Sequence, residues 1–173
     1  MLLSCARLRW LTLAAYVGAA AVCVAACSAP SLTGTQFSPE AAAAAALEAI
    51  AARDIATLRT LALSEQEFRS HVWPELPAAR PERNLPFSYV WGDLHQKSEQ
   101  SLAQTLARHG GRRYALVSVR NDGETTRYPS YVVHRETVLE VRDESGVQLD
   151  LRLFGSLIDY DGAWKVFSYV TND

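Results

Sequence analysis

Cysteine is nearly absent from this chain. There are three in 173 residues, Cys5, Cys23 and Cys27, all within the first 27 positions. From residue 28 onward there is no thiol. That part has no disulfide, no cysteine nucleophile and no cysteine ligand for a metal, and it folds on its core alone. Lysine is almost as scarce: Lys97 and Lys165 are the only two, and arginine carries the remaining positive charge. Of 17 Lys+Arg and 19 Asp+Glu, Arg7 and Arg9 lie before residue 27, so the rest of the chain carries 15 against 19, a net of −4. No basic stripe remains, which excludes nucleic-acid binding driven by charge. The four histidines, His71, His95, His109 and His134, share no i, i+4 pairing, so zinc-ligand spacing is missing. Gly-x-Ser-x-Gly, the Walker loop and Gly-x-Gly-x-x-Gly are also missing, and nothing implies a cofactor.

What is present begins with an N-terminal leader. Arg7 and Arg9 precede an apolar run, Trp10 to Ala26, of 17 residues. That is the short end of the ~17–25 needed to cross a bilayer. A charged start, an apolar middle and a small-residue exit are the layout of a secretory signal. The run closes on Val24-Ala25-Ala26-Cys27. This stretch resembles the lipobox of bacterial lipoproteins. The resemblance implies cleavage before Cys27, which becomes a lipid-carrying N-terminus. It also implies palmitate-type acyl chains as the membrane anchor. Ser28 at the next position implies, for enteric-type bacteria, sorting to the periplasmic face of the outer membrane. Competing readings are an ordinary secretory leader cut after Ala26 or Ala29, an uncleaved anchor, and a buried helix. Each buried methylene contributes about 0.8 kcal/mol, and stable anchoring takes more than one chain.

Three regions follow from this reading: a leader over 1–26, a lipidated tether over 27–37, and one domain over 38–173. Removing 26 residues from 173 leaves 147, a one-domain length that buries about 68–70% of its unfolded surface. Ser28 to Phe37 is small, polar and contains Gly and Pro, as a flexible spacer does. Ser38-Pro39-Glu40 opens a helix, with Ser38 as cap, and the alanine run Ala41–Ala46 propagates it. Asp54 caps a second helix, with Leu58 and Leu61 on its apolar face. Ser64 and Glu67 form a capping box for a third, which Pro74 ends. Pro74 to Pro86 reads as a surface loop. Phe87 to Trp91 reads as a short strand or a helix lead-in, and Asp93 as the cap of a helix running to His109. Gly110-Gly111 stops that helix.

From Arg112 the apolar period changes from 3.6 to 2. Residues 113–121, 128–142, 147–159 and 163–171 read as four strands. Asn121-Asp122-Gly123, Glu144-Ser145-Gly146 and Tyr160-Asp161-Gly162 are the hairpin turns between them. Gly155 marks a bulge or bend. The fold class is therefore α+β: N-terminal helices packed on a curved antiparallel sheet of about four strands, cone-like.

Paired helices, a third helix, long hairpins and the closing Asp161-Gly162-Ala163-Trp164-Lys165-Val166 resemble the nuclear transport factor two-like superfamily, over roughly residues 38–171. The resemblance implies a bent sheet wrapped round helices with a pocket in the cone. Enzymes of that superfamily often place an Asp/His pair there, which points to Asp93 and His95. Asp93 also reads more simply as a cap, and general acid–base work requires both groups to converge on one proton. Tyr89, Trp91, Tyr128, Tyr131, Phe154, Trp164, Phe167 and Tyr169 could line a pocket, although aromatics on strands are more often core; Tyr89, Trp91 and Tyr131 join Asp93 and His95 as the ligand-binding candidates. The motif-poor sequence favours a non-enzymatic binding domain for a protein or envelope component. The alternatives are a small apolar ligand held in the cone, and an enzyme acting through Asp93/His95.

Overall fold

The computed structural model describes residues 31–171. Cys27 and the leader lie outside the described residues. The chain is α+β: helices come first, then an antiparallel meander. The caps form where the sequence puts them. Ser38 accepts from the Ala41 amide at 3.1 Å to start α1, Pro39–Ala52. Asp54 accepts from the Thr57 amide at 3.0 Å to start α2, Ile55–Leu61. Ser64 and Glu67 close a reciprocal capping box on α3, Glu65–Glu67, which runs on as a π-helical turn, Phe68–Val72. Residues 74–86 are not featureless loop. They are punctuated by 3-10 turns at Pro77–Ala79 and Pro81–Arg83, each starting on a proline whose fixed φ suits that position.

The fourth helix, α4, runs Phe87–His109 with Pro86 at its N-cap, seven residues earlier than the Asp93 cap expected from sequence. Asp93 lies inside it. No proline lies between Pro86 and Gly110, the single Gly92 is tolerated, and Phe87, Val90, Trp91 and Leu94 already repeat at helical spacing. Gly110 ends α4 as expected, its amide bonded to the Leu106 carbonyl at 3.0 Å.

The meander has four extended segments, creased into seven strands. These are β1 Ala115–Asn121, β2 Thr125–Arg127, β3 Val132–Arg135, β4 Thr137–Arg142, β5 Gln148–Leu151, β6 Phe154–Tyr160 and β7 Ala163–Tyr169. They form two antiparallel sheets, β1-β4-β5 and β2-β3-β6-β7. β3 and β4 are one segment bent at Glu136, whose φ is 53°. Asn121-Asp122-Gly123 is not a hairpin turn. β1 pairs with β4 and β2 with β3, so this tripeptide is a crease within the first segment. The true turn lies at Tyr128–Tyr131, closed by the Tyr128 amide on the Tyr131 carbonyl at 2.8 Å. The register of β6 against β7 shifts on both sides of Ser156. A side chain at Gly155 would come within 2.7 Å of Val170, so the strand bends closely there only because it has none. Asp161 and Gly162, both at positive φ, make the two-residue β6–β7 turn.

Two cores hold the layers. Ala42, Ala43, Ala46, Leu47 and Ile50 of α1 pack with Leu58, Leu102, Leu139, Val141, Leu157 and Val166. The small alanines let α1 approach closely, and this core fills the space between helix and sheet. The second core gathers Leu32, Leu63, Phe68, Val72, Tyr131, Val133 and Ile158.

Leu32 belongs to the stretch read from sequence as free spacer. Residues 32–36 are instead docked. The Gln36 amide donates to the Trp164 carbonyl at 2.8 Å, and the Trp164 amide returns a bond to Gln36 at 2.7 Å. Farther along the same edge of β7, the Leu63 amide donates to the Val166 carbonyl at 3.0 Å. These two segments cover an edge that would otherwise be a template for pairing. Gly34, at φ 62°, brings the strap against Thr60, where a Cβ would lie 2.7 Å from the Thr60 methyl.

Glu67 fixes the strap. Its carboxylate accepts from the Thr33 amide at 2.7 Å, the Thr33 hydroxyl at 3.1 Å, the Ser64 amide at 2.8 Å and the Ser64 hydroxyl at 2.9 Å. It also pairs with Lys165 Nζ at 2.9 Å, and Lys165 donates to the Thr33 carbonyl at 2.6 Å. Both side chains are buried. Burial by itself would raise the Glu67 pKa. The Ser64 and Thr33 donors and Lys165 outweigh it and hold the carboxyl down at about 2. Burial pulls Lys165 below the ordinary lysine range, against the opposing pull of Glu67.

Two outcomes follow for stability. Lys165→Ala leaves a buried carboxylate without its cation and should cost about 3–5 kcal/mol in urea melts. A loss under 1 kcal/mol would show that the pair is solvated. Because the folded pKa of Glu67 lies below its ordinary 4.5, its contribution is present above that value and lost as pH falls toward 2. It amounts to roughly 3 kcal/mol. In Glu67→Gln, this part of the acid slope should vanish from stability measured against pH.

Candidate functional site

The five candidate ligand residues do not converge. Tyr131 is 2% exposed, donates its hydroxyl to the Val72 carbonyl at 3.1 Å and stacks on Tyr128 at 4.5 Å. Burial pushes its phenol up, so it is a satisfied core group. Tyr89 is exposed on α4. Asp93 is exposed too, paired with Lys97 one turn on at 2.8 Å. His95 is two residues from Asp93, about 200° round the helix, and stacks instead on Trp91 at 5.3 Å with 16° between the rings.

Trp91 and His95 do share a site. They line an open groove of about 400 Å³ between the α2–α3 connection and α4, with Phe167 and Tyr169 of β7 at its base. One wall is Arg59, Ala62, Leu63, Ser64 and Glu65; the other is Trp91, Leu94, His95, Ser98 and Glu99. The aromatic side is anchored from below. Phe68, fully buried, lies 5.3 Å from Trp91, 6.0 Å from Phe87 and 6.0 Å edge-on to Phe167. The Ser98 hydroxyl accepts from the Tyr169 amide at 3.0 Å, tying α4 to the end of β7. The Tyr169 hydroxyl donates to the Leu58 carbonyl at 2.6 Å, tying β7 to α2.

Arg59 and Glu99 span the groove as a forked pair, with contacts of 2.6 and 3.1 Å. The hydrogen bonds from Arg59 hold Glu99 below the usual carboxylate range against burial, and the charges of Arg59 and His95 add to the effect. Chemically, this is an amphipathic slot: an aromatic and aliphatic base, an imidazole lying flat on an indole, and an ion pair across the rim. One wall is helix α4 and the other a connection whose Leu63 amide is bonded to Val166.

Sequence reasoning missed Arg59, Ser98 and Glu99, whereas Phe167 and Tyr169 were among the strand aromatics it offered as pocket lining. A signal existed on α4. Trp91, His95 and Glu99 repeat at four-residue spacing, and so do Leu94, Ser98 and Leu102. Starting the helix at Asp93 left Trp91 outside the periodic stretch and broke the first of these rows.

Among the described residues, no group of three or more His, Cys, Asp or Glu side chains is arranged to hold a metal ion. No described helix is long and apolar enough to cross a membrane. In comparisons with known proteins, the chain matches no family model, no curated protein and no solved structure.

Phe68→Ala should remove the support beneath Trp91 and cost about 3–5 kcal/mol, read by urea unfolding. Asp93→Asn should stay within about 0.5 kcal/mol, as surface changes do. Equal losses for the two variants would contradict this placement of the groove's foundation.

Proposed function

We propose that this chain is a lipid-anchored cell-envelope protein whose domain binds a protein or another envelope component without catalysing a reaction. The anchor is Cys27, acylated after removal of residues 1–26, and the expected address is the periplasmic face of the outer membrane. The domain is of the nuclear transport factor two-like kind. Helices preceding a bent antiparallel meander support that reading.

One observation carries the functional part. The interior between α1 and the sheet, where a cone pocket would lie, is filled by the alanine-rich core, and an open concavity of about 460 Å³ remains only along the outer side of α1, against Arg113, Tyr114 and Leu116. Among the open concave surfaces, the groove around Trp91 and His95 is the one that combines stacked aromatic rings with an ion pair across its rim. Such a slot suits a segment of a partner better than an enclosed substrate. Asp93 and His95 diverge on α4, which argues against the pair acting on one proton. A second reading is a small apolar ligand in the same groove, favoured by Leu63 and Leu94 in its walls and Phe167 and Tyr169 at its base.

Cys27→Ala should block processing or release the protein from membranes; unchanged fractionation with an unchanged N-terminus would contradict the anchor. A photo-crosslinking residue at position 95 should give a discrete protein adduct in cells, and one at position 93 should not. Equal labelling from both positions would overturn the groove as the binding site. A discrete low-mass adduct from position 95 would decide for the apolar ligand.

A further inference from the structure

The docked strap has a consequence for how the domain meets its membrane. Among the described residues the first anchored one is Leu32, followed by Thr33, whose amide and carbonyl are both bound by the Glu67–Lys165 pair. From Cys27 to Leu32 there are five residue steps. Fully extended, they span at most ~16–18 Å. A chain acylated at Cys27 therefore holds the strap within that distance of the lipid, and the domain has no long leash on which to drift.

The strap also fixes which end of the domain is held close. Gln36 pairs with Trp164, and Trp164 lies in the row Val132–Asp159–Trp164 across β3, β6 and β7. This row is one end of the long bent hairpin. The other end is the Asp143–Val147 turn, beyond the pair Arg142–Gln148. Beside the strap row stand two turns, Tyr128–Tyr131 and Tyr160–Ala163. Partly exposed aromatic side chains gather at this end: Tyr128 and Tyr160 in the turns, and Trp164 on the row itself. The fourth is Phe37, 85% exposed, directly after Gln36 and directly before the α1 cap. Its backbone is held on both sides, by the Gln36–Trp164 bridge and by Ser38 on the Ala41 amide. An apolar ring on a rigid mount, flanked by tyrosine and tryptophan, is the composition found at the lipid–water boundary.

We propose that this end of the sheet, led by Phe37 with Tyr128, Tyr160 and Trp164 beside it, rests in the interfacial layer of the bilayer that carries the anchor, with the Asp143–Val147 turn pointing away. The proposal rests on lipidation at Cys27. The groove around Trp91 is then presented at a fixed height above the membrane rather than on a mobile stalk.

The test uses the acylated chain in vesicles of phosphatidylethanolamine and phosphatidylglycerol. With Cys27 in thioether linkage and the leader removed, an introduced cysteine is the only free thiol. Phe37→Cys, Ser130→Cys and Val147→Cys are each labelled with a polarity-sensitive fluorophore and challenged with quencher-bearing lipids. Ser130 lies in the Tyr128–Tyr131 turn and leaves Phe37 in place, so it reports independently of the loss of that ring. Labels at 37 and 130 should shift to the blue and be quenched severalfold more than the label at 147. An acylated chain in which all three labels stay aqueous, or in which 147 is quenched as strongly as 37 and 130, would overturn the proposal alone. A mass showing no acyl groups would overturn the anchor, and the proposal with it.

Discussion

The structure depends on one buried carboxylate. Glu67 begins as an ordinary helix-capping residue, answering Ser64 three positions earlier. It is then recruited by Lys165 from the last strand and by Thr33 from the N-terminal strap. Three segments far apart in sequence meet at one side chain. Burying either charge alone would be costly, and the pair is tolerated because donors surround the carboxylate. The geometry is specific as well as stabilising. It fixes the strap against the edge of β7 and sets where the chain leaves the domain.

The groove and the strap are parts of the same construction. The α2–α3 connection that forms one groove wall also supplies the Leu63 amide to Val166 and leads straight into Ser64 and Glu67. β7 carries Trp164 for the strap, Lys165 for the pair, and Phe167 and Tyr169 for the groove floor. Successive residues face opposite sides, Lys165 toward Glu67 and Val166 into the alanine core. A disturbance at Glu67 should therefore reach the groove through the connection they share, without any contact to Trp91.

Local signals in the sequence were reliable where the physics is local. The caps at Ser38, Asp54 and Ser64 could be read because a hydroxyl or carboxylate two or three residues from an amide has few other options. The two-residue turn at Asp161-Gly162 could be read because both positions need positive φ. The α+β order and the bend at Gly155 were legible for similar reasons. Other features had no local mark. Asn121-Asp122-Gly123 has the composition of a turn, yet the pairing partners on both sides lie along one continuous neighbour, so it creases a strand instead. Pro86 was the true start of α4, but Asp93 offered a better-looking cap. Docking of the strap depends on Glu67, 34 residues from Thr33, and on Lys165, 132 residues away. No spacing rule connects them. Of the candidate site, Trp91, His95, Phe167 and Tyr169 were within reach as residue types, whereas Arg59 and Glu99 come together across the groove only through the tertiary fold.

The central claim is that residues 32–36 are part of the folded domain, held by Glu67, Lys165 and the edge of β7. Amide hydrogen exchange at Thr33 and Gln36 tests it most directly. Their N–H groups are donated to the Glu67 carboxylate and to the Trp164 carbonyl, so both should exchange orders of magnitude more slowly than an unstructured peptide, with protection approaching that of the β7 core. Exchange at the free-peptide rate at both positions, with β7 itself protected, would contradict the account.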